Sequence, residues 1–470
     1  MRRSVPLLAV LLLSAAPACA QQEASRSRAD TLAERYVKTE HRVPMRDGTR
    51  LHTTVYRPRR AEGELPILMT RTPYSCRPYG EGLFPDRIGP SPVMEDEGYI
   101  FVCQDVRGRW MSEGRYDNMR PHVPGDSAVD ESSDTWDTVE WLLGHVEGHN
   151  GRVGQWGISY PGFYAAAALP EAHPALVASS PQAPIADFYF DDFHHHGAYI
   201  LSYWLITPLF GHQHAGPTAE AWYPIVDPPT RDGYAFYREL GPLHLSDDRY
   251  PEAYGEENVL WSQLVEHPNY DAFWQARNIL PHLREVDHAV MTVGGWFDAE
   301  DLYGPLNIYR ELEEENPGAF NVLVMGPWSH GDWARERGSQ VVGEIWFGDS
   351  LSVAYQREVE APFFRHFLKG EGEPPSFEAM VFDTGRKGPE AWTTFGSWPP
   401  ADAERRTWWM RGGERLSADP PAEGEAGATA WDSDPAEPVP YVEEQKIVFT
   451  PRAYMTDDQR FAERRPDVIE

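Results

Sequence analysis

Three short apolar segments of this chain each run into a turn that carries one reactive polar residue. The segments and the residues that follow them are 151–156 before Ser159, 288–293 before Asp298, and 320–325 before His330. Short apolar runs bounded by glycine or proline are typical of the buried strands of a parallel sheet. Because the carboxyl ends of parallel strands meet at one edge of the sheet, we expect the three residues to lie close together.

The order of these residues along the chain favours one arrangement. A serine hydroxyl becomes an effective nucleophile when a histidine takes its proton and a carboxylate orients that histidine. In the α/β-hydrolase arrangement these groups follow strands in the order Ser, Asp or Glu, His. The order here is the same, so we interpret Ser159, Asp298 and His330 as a catalytic triad. The alternative is that Ser159 and Asp298 only begin helices and that His330 is an ordinary loop residue.

The turn around Ser159 differs from the common form of this motif. Gly157 stands two residues before the serine, where a small residue lets the chain turn sharply. Pro161 stands where a second glycine is usual, and Gly162 follows one position later. A lone G-x-S pattern is a weak signal, so the prediction depends on the three residues taken together.

The strand and helix patterns divide the chain into regions. We predict an α/β-hydrolase domain in two parts, residues 38–186 and 282–372, interrupted by an aromatic-rich helical cap at residues 187–281. Residues 373–470 change to short strands between glycine, proline and acidic loops, which predicts a jelly-roll-like β-sandwich. Its strand candidates are 378–383, 391–398, 406–410 and 446–450. Since a jelly roll has about eight strands, we expect this domain to be incomplete and the sequence to be a fragment.

The N-terminal residues predict export. Residues 1–20 combine Arg2 and Arg3, an apolar run and a small-x-small ending, as in a secretory signal peptide, and residues 21–37 would form an arm. The chain is therefore expected to be secreted or periplasmic, with a lipoprotein anchored at Cys19 as the alternative. Of the remaining cysteines, Cys76 and Cys103 could form a disulfide in an oxidising compartment.

Charge and hydropathy exclude two classes of partner. The formal net charge is −31, which opposes binding to nucleic acid phosphates and anionic membrane surfaces. The apolar run in residues 5–16 is too short for a membrane span, and no later segment reaches the required length. The expected partner is a small-molecule substrate.

Five motifs carry a resemblance to a known family. They are residues 72–74 (TPY), 105–108 (DVRG), 157–162 (GISYPG), 295–298 (GWFD) and 326–330 (GPWSH). With them, residues 38–370 resemble the family that includes bacterial cocaine esterase, X-Pro dipeptidyl-peptidases, glutaryl acylases and α-amino acid ester hydrolases. The resemblance implies an oxyanion hole made of the Tyr74 hydroxyl and the Tyr160 backbone N–H. It also implies the triad, the helical cap, the jelly roll and a homo-oligomer, and it accounts for the unusual elbow.

The α-amino acid ester hydrolases are the subgroup that the chain resembles most. That resemblance implies three carboxylates that bind the α-ammonium group of the substrate. Glu300 and Asp301 follow the triad aspartate in the expected pattern, and Asp192 is the expected third member, with Asp191 as the alternative. Crowded carboxylates are unfavourable unless a cation shares their site, which agrees with an ammonium ligand. The alternative is that Glu300 and Asp301 only begin the next helix, where acidic residues suit the helix dipole.

The predicted activity is a two-step acyl transfer that needs no cofactor. Ser159 would form an acyl-enzyme from an α-amino acid ester or amide, and water or an amine would then release the acyl group. The alternatives are an X-Pro dipeptidyl-peptidase, a general carboxylesterase, or an inactive carbohydrate- or surface-binding protein.

A metal site in the cap is a further alternative. It is suggested by the consecutive histidines His194, His195 and His196 together with His212 and His214. Consecutive histidines point to different faces, and no carboxylate or cysteine stands at a recognised ligand spacing, so we predict no metal.

Overall fold

The architecture comes from a computed structural model of the chain. The structure describes residues 27–468, except 126, 336–337, 413–414, 426–429, 444 and 448–452. The predicted signal peptide and residues 21–26 of the predicted arm therefore lie outside the described residues.

The strands of the described chain are, in order, as follows: β1 Tyr36–Pro44, β2 Arg50–Pro58, β3 Leu65–Thr72, β4 Ile100–Asp105, β5 His149–Ile158, β6 Leu176–Gln182, β7 His194–His195, β8 Ala198–Tyr199, β9 Ala289–Gly295, β10 Asn321–Gly326, β11 Ser339–Val342, β12 Ile345–Asp349, β13 Ala379–Phe382, β14 Trp392–Phe395, β15 Trp409–Arg411 and β16 Arg415–Ser417.

The α-helices are α1 Arg28–Arg35, α2 Pro92–Asp96, α3 Glu131–His145, α4 Tyr160–Ala167, α5 Thr207–Gly211, α6 Gly233–Leu240, α7 Ser246–Arg249, α8 Pro251–Tyr254, α9 Val259–Glu266, α10 Ala272–Gln275, α11 Tyr303–Glu315, α12 Leu351–Tyr355, α13 Ala361–Phe364 and α14 Arg460–Glu463. Three π turns span Tyr189–Phe193, Gln356–Glu360 and Arg365–Lys369. The 3₁₀ turns span Leu201–Ile206, Leu243–Leu245, Leu280–His282, Asp332–Ala334, Pro389–Ala391 and Ala453–Met455.

One mixed sheet of ten strands organises the described chain. Its order is β1-β2-β4-β3-β5-β6-β9-β10-β13-β14. Neighbours from β4 to β13 are parallel, whereas β1, β2 and β14 are antiparallel additions at the two edges. Every residue of β9 and β10 is buried, as expected for continuous apolar runs inside a parallel sheet. The carboxyl ends of β5, β9 and β10 therefore open on the same edge.

Both faces of this sheet are covered by helices. Ile67 and Met69 of β3 pack with Val139 and Leu142 of α3 on one face. Leu68, which lies between them in β3, points to the other face, where the helical segment from α12 to residue 369 packs. This alternation is the period of two that a strand imposes on its side chains.

The segment predicted as a cap contains mostly short helices and turns. Residues 187–281 contain helices α5 to α10 and the π turn Tyr189–Phe193. Cap residues such as Phe188, Trp204 and Trp261 form one apolar cluster with Phe163 of α4 and Ile308 of α11. The cap is therefore held against the carboxyl edge of the sheet by buried apolar surface.

The prediction for residues 373–470 needs correction at its first two strands. The candidates 378–383 and 391–398 are strands, but as β13 and β14 they extend the central sheet beyond β10. The reason is burial: Ala379 and Val381 pack with Leu323, Met325 and Tyr309 at the open edge of the sheet.

Beyond β14 the described chain holds less regular structure than a jelly roll. The candidate 406–410 corresponds in part to β15, which pairs with β16 in a small sheet consistent with a separate β region. In the candidate 446–450, Lys446 forms a single bridge to Asp232, and residues 448–450 lie outside the described residues. The jelly roll itself stays a prediction.

The part of the predicted arm that is described packs on its own chain. Leu32 of α1 is buried, and the Tyr36 hydroxyl donates to the Glu95 carbonyl of α2 over 2.8 Å. Among the described helices, none has the length and apolar character of a membrane span.

Cys76 and Cys103 form a disulfide, which the sequence left open. It ties the loop after β3 to β4, with 27 residues of sequence separation. Cross-linking a loop of this length reduces the entropy of the unfolded chain.

We predict that replacing Cys76 and Cys103 together by serine lowers the free energy of unfolding by about 2–4 kcal/mol. Denaturant unfolding followed by circular dichroism measures this change. Treating the wild-type protein with a reductant should produce the same loss, and a double variant as stable as the oxidised wild type would contradict the prediction.

Candidate active site

A cavity of about 490 Å³ opens between the carboxyl edge of the sheet and the cap. Its polar lining residues are Tyr74, Ser159, Tyr160, Asp192, Glu300 and His330. Its apolar side is formed by Ile185, Phe188, Phe193, Ile206, Leu209 and Phe210, with Tyr203 between the two sides. The structure thus brings six of the eight sequence-predicted site residues to one cavity, and Asp298 and Asp301 lie buried beside it.

Ser159 occupies a sharp turn between β5 and α4. Its backbone has φ 68° and ψ −130°, a conformation that non-glycine residues rarely adopt. A Cβ atom on Gly157 would lie 2.0 Å from the Pro161 carbonyl oxygen, and one on Gly162 would lie 2.5 Å from the Gln182 carbonyl oxygen. Both positions therefore require glycine because the backbone approaches them too closely.

The neighbouring strand holds this turn in place. The Ser159 N–H donates to the carbonyl oxygen of Gln182, the last residue of β6, over 3.0 Å. The turn therefore presents Ser159 at the start of a helix, where the first backbone N–H groups have no acceptor inside the helix. The N–H of Tyr160 is one of these groups.

His330 and Asp298 form a directly bonded pair. The His330 Nδ1 lies 3.0 Å from Asp298 Oδ1 and 2.8 Å from Oδ2. Asp298 also accepts hydrogen bonds from the backbone N–H groups of Glu300 and Asp301. Burial alone would raise the pKa of the Asp298 carboxyl, but His330 and these N–H groups outweigh it and hold that pKa below its usual value. Asp298 is thus an anion that orients the imidazole and leaves Nε2 facing the cavity.

Tyr74 lies on the loop that follows β3 and keeps 42% of its surface accessible. The Pro73 carbonyl accepts hydrogen bonds from Trp110 Nε1 (2.9 Å) and Arg109 Nε (3.2 Å), and the disulfide at Cys76 follows two residues later. The surrounding protein, and then the charges of Asp192 and Glu300, raise the pKa of the Tyr74 hydroxyl well above 10, while a hydrogen bond with Ser159 acts in the opposite direction. The hydroxyl therefore stays a proton donor at neutral pH.

The side chain of Tyr160 has a structural task. Its hydroxyl accepts from the Met119 N–H over 2.8 Å and donates to Asn118 Oδ1 over 3.2 Å. The Tyr160 side chain is thus engaged with the loop at residues 118–119, and the role of its backbone N–H in an oxyanion hole stays a prediction.

Carboxylates crowd around His330 at the cavity. His330 Nε2 lies 3.7 Å from Glu300 Oε2 and 3.9 Å from Asp301 Oδ2. Burial, and then the charges of Asp192 and other neighbouring aspartates, raise the pKa of the Asp301 carboxyl well above its usual value. Among the described residues, Asp301 Oδ1 has no hydrogen-bond partner. The acidic cluster, defined as Asp192, Glu300 and Asp301, is thus electrostatically unfavourable while no cation is bound.

The structure separates Asp192 from Asp191. Asp192 lines the cavity. Burial, together with the charge of Glu300, raises the pKa of the Asp192 carboxyl to about 7, while the Tyr203 hydroxyl acts in the opposite direction. Asp191 instead accepts from three backbone N–H groups, those of Ala186, Asp187 and Gly304, at 2.8–3.1 Å. Asp192 is therefore the cavity member, and Asp191 fastens the cap to α11.

Tyr203 is the residue that sequence reasoning undervalued. It lies in the aromatic-rich segment predicted as a helical cap, at residues 187–281. It lines the cavity, and burial followed by the nearby charge of Asp192 raises the pKa of its hydroxyl well above 10. Trp204, in contrast, is fully buried in the cap and stacks on Tyr254. The sequence signal was an aromatic cap residue, which does not separate a ligand contact from core packing.

The cap histidines have packing partners. The His194 ring stacks on Tyr189 with centroids 4.1 Å apart, and His212 Nε2 lies 3.1 Å from the Ala253 carbonyl oxygen. In the part of the chain that the structure describes, no three His, Cys, Asp or Glu side chains are grouped as metal ligands.

Comparison with known proteins shows that this chain is similar to hydrolases. Residues 47–332 match the family described as X-Pro dipeptidyl-peptidase (S15 family). The cocaine esterase of Rhodococcus sp. (strain MB1 Bresler) is 27% identical over 428 residues, covering 85% of this chain and 67% of that protein. The chain spans about two thirds of the length of the curated relatives that it matches.

Two solved structures share the fold over most of the chain. A selenomethionine-labelled α-amino acid ester hydrolase is 32% identical with a TM-score of 0.80, covering 97% of this chain and 75% of that one. An aminopeptidase from a marine sediment Thaumarchaeota archaeon is 30% identical with a TM-score of 0.78, covering 92% and 71%. These similarities confirm the predicted α/β-hydrolase type of fold and the resemblance carried by the motifs.

We predict that Asp192→Asn stabilises the protein more at pH 8 than at pH 5. A carboxyl whose pKa rises from 3.8 to about 7 on folding binds its proton more tightly in the folded chain. The free energy of unfolding therefore falls as the pH rises through this window, and asparagine removes that loss. Thermal unfolding of both proteins at the two pH values measures the difference in Tm.

Asp191→Asn is the contrasting variant. It should lower Tm already at pH 5, because an amide group cannot accept from backbone N–H groups at both of its ends. An equal difference in Tm for Asp192→Asn at both pH values would contradict the prediction.

Proposed function

Because this chain belongs to the X-Pro dipeptidyl-peptidase (S15) family of hydrolases, we propose that it is a serine hydrolase acting on esters or amides of α-amino acids. The observation that carries this proposal is the meeting of Ser159 and His330 with Asp192 and Glu300 in one cavity, with Asp301 buried beside it. The names of the two similar structures, an α-amino acid ester hydrolase and an aminopeptidase, support a substrate built on an α-amino acid.

The proposed first step forms an acyl-enzyme. Ser159 Oγ attacks the carbonyl carbon of the substrate while its proton passes to His330 Nε2. Asp298, ionised and bonded to His330 Nδ1, stabilises the imidazolium that results. As the tetrahedral intermediate collapses, the bond to the leaving group breaks and His330 returns the proton to that group. The product is an aminoacyl ester of Ser159.

Two donors would stabilise the oxyanion of the intermediate. The Tyr160 N–H points from the first turn of α4, and the Tyr74 hydroxyl remains protonated near Ser159. Donors that are already in place before the charge develops need little reorganisation, which is why such groups lower the barrier effectively. In the second step His330 activates water, which releases the amino acid, or an amine takes the place of water and gives a new amide.

The acidic cluster would bind the α-ammonium group of the substrate. None of the cavity-lining residues in the described chain is lysine or arginine, so no permanently charged cation of the lining takes the place of an ammonium ligand. Binding it would offset the burial and the mutual repulsion that raise the pKa values of Asp192 and Asp301. A desolvated ammonium–carboxylate interaction contributes roughly 2–5 kcal/mol. It would also hold the adjacent carbonyl carbon near Ser159.

An X-Pro dipeptidyl-peptidase is the second candidate, because the family carries that description and such an enzyme must also bind an amino terminus. A general carboxylesterase would not use the acidic cluster. We further propose that the chain acts in the periplasm or outside the cell, which is supported by the disulfide between Cys76 and Cys103.

Replacing Ser159 by alanine is expected to lower kcat by roughly 10⁴- to 10⁶-fold, because the nucleophile is lost while the cavity remains. Steady-state hydrolysis of an aminoacyl ester measures the effect. The variant should also lose labelling by an uncharged fluorophosphonate, and its Tm should stay close to that of the wild type. Turnover at the wild-type rate would exclude Ser159 as the nucleophile.

The ammonium site is tested by comparing kcat/KM for phenylglycine methyl ester and for its desamino analogue, phenylacetic acid methyl ester. We expect a preference of roughly tenfold or more for the amino ester, as follows from one desolvated charge pair. Glu300→Gln and Asp301→Asn should reduce this preference mainly through the amino ester. Equal rates on both esters in the wild type would indicate a general esterase, and a larger rate on an X-Pro anilide would favour the dipeptidyl-peptidase.

A further inference from the structure

One helical segment behind the cavity carries a stripe of buried polar residues. Ser352, Gln356 and Glu360 are spaced four residues apart from α12 through the π turn Gln356–Glu360, and each is at most 2% exposed. In a regular helix of about 3.6 residues per turn, residues four apart do not stay on one line but rotate gradually around the axis. A π turn holds more residues per turn, so it keeps these three side chains closer to one face. Because buried polar groups must find partners, the contacts of the stripe show what this helix face holds.

The first two residues of the stripe hold the loop that carries His330. The Ser352 hydroxyl donates to the Asp332 carbonyl oxygen over 3.1 Å. Gln356 Nε2 donates to the Trp333 carbonyl oxygen over 2.8 Å. These acceptors lie two and three residues after His330, so the loop is fastened directly behind the imidazole.

The third residue, Glu360, holds the turn that carries Ser159. Its Oε1 accepts from Gln182 Nε2 over 3.2 Å, and its Oε2 accepts from the Ser91 hydroxyl over 2.8 Å. Gln182 is the residue whose backbone carbonyl accepts the Ser159 N–H. The side chain and the backbone of Gln182 therefore connect Glu360 to the Ser159 turn.

Gln182 also connects that turn to the His330 loop. Its Oε1 accepts from the indole N–H of Trp333 over 2.7 Å. Glu360 presents an acceptor and Trp333 presents a donor, so the two together determine which way the Gln182 amide points. A continuous hydrogen-bonded path thus runs from Ser159 through Gln182 to Trp333, three residues beyond His330.

We propose that Gln182 and Glu360 are positioning residues that set the place of His330 relative to Ser159. The inference rests on the proposed serine mechanism. Neither residue lines the cavity, so neither is expected to contact the substrate. They act because Ser159 is held in an uncommon backbone conformation and because a displacement of about 1 Å between reacting groups can reduce a rate roughly 100-fold.

The test measures the rate constant for phosphonylation of Ser159 by an uncharged fluorophosphonate, which needs the serine and histidine but no ammonium site. Gln182→Met removes the link between the two loops at nearly constant volume, and Trp333→Phe removes it from the other loop with some loss of buried ring volume. Each should slow labelling roughly 10- to 100-fold and lower kcat similarly, with KM for the amino ester little changed. The double variant should be no slower than the slower single one, because both changes break the same link. Trp333→Phe removes the indole N–H together with part of the buried ring, so it tests the link even if Gln182→Met does not fold, and Phe363→Leu controls for the lost buried volume.

Glu360 supplies a conservative pair and a control. Glu360→Leu should lower the rate constant of labelling. Glu360→Gln can still accept from Gln182, so its rate constant should stay within about threefold of the wild-type value. Phe363→Leu is the matched control, because Phe363 is buried in the same helical segment but packs on Phe320 and Phe367. It should lower Tm without slowing the labelling.

The outcomes separate the two proposals. Normal labelling of the wild type with unchanged rates in Gln182→Met and Trp333→Phe would overturn the positioning role alone. Equal slowing in Phe363→Leu would overturn it as well, because the effect would then follow stability. A wild-type protein that is not labelled at Ser159 would overturn the proposed function and the inference with it.

Discussion

The backbone of Ser159, at φ 68°, is the constraint on which the rest of the site depends. A serine adopts this conformation only when its surroundings hold it there. Gly157 and Gly162 allow the close approach of the Pro161 and Gln182 carbonyl oxygens, and the Gln182 carbonyl accepts the Ser159 N–H. The turn then begins α4 and leaves the Tyr160 N–H at the start of a helix. The strained turn thus places the Ser159 hydroxyl next to the first backbone N–H of α4, that of Tyr160.

Under the proposed function, the acidic cluster lowers the stability of the free protein and favours the binding of a cation. Asp192 and Asp301 are buried beside Asp298 and Glu300, and their raised pKa values record the unfavourable free energy of charging them. A structural role would have placed partners around these carboxylates, as it does around Asp191. Groups kept in a strained electrostatic state are typical of sites that await a ligand of opposite charge. A protein of net charge −31 could place acidic residues almost anywhere, so the informative feature is their convergence on Ser159.

Much of the fold could be predicted because its signals are local. The apolar runs before Ser159, Asp298 and His330 became β5, β9 and β10, and the order of the three residues agrees with one parallel sheet. The strands β13 and β14 were recognised as strands, but their partners were not. Pairing depends on which sheet edge is open. Here β13 pairs with the edge strand β10, and Ala379 and Val381 become buried there. The sequence pattern of a strand says nothing about that edge.

By itself the sequence determined the strand-end residues and the glycine-bounded turn, because each follows from residues within a few positions of one another. Only the tertiary structure decided between Asp191 and Asp192, paired Cys76 with Cys103, and revealed the stripe that joins Glu360 to Gln182. These contacts bring together residues separated by 27 to 178 positions. Whether a polar side chain faces a cavity or a backbone N–H group depends on how distant segments pack, and the periodicity of a single segment does not contain that information.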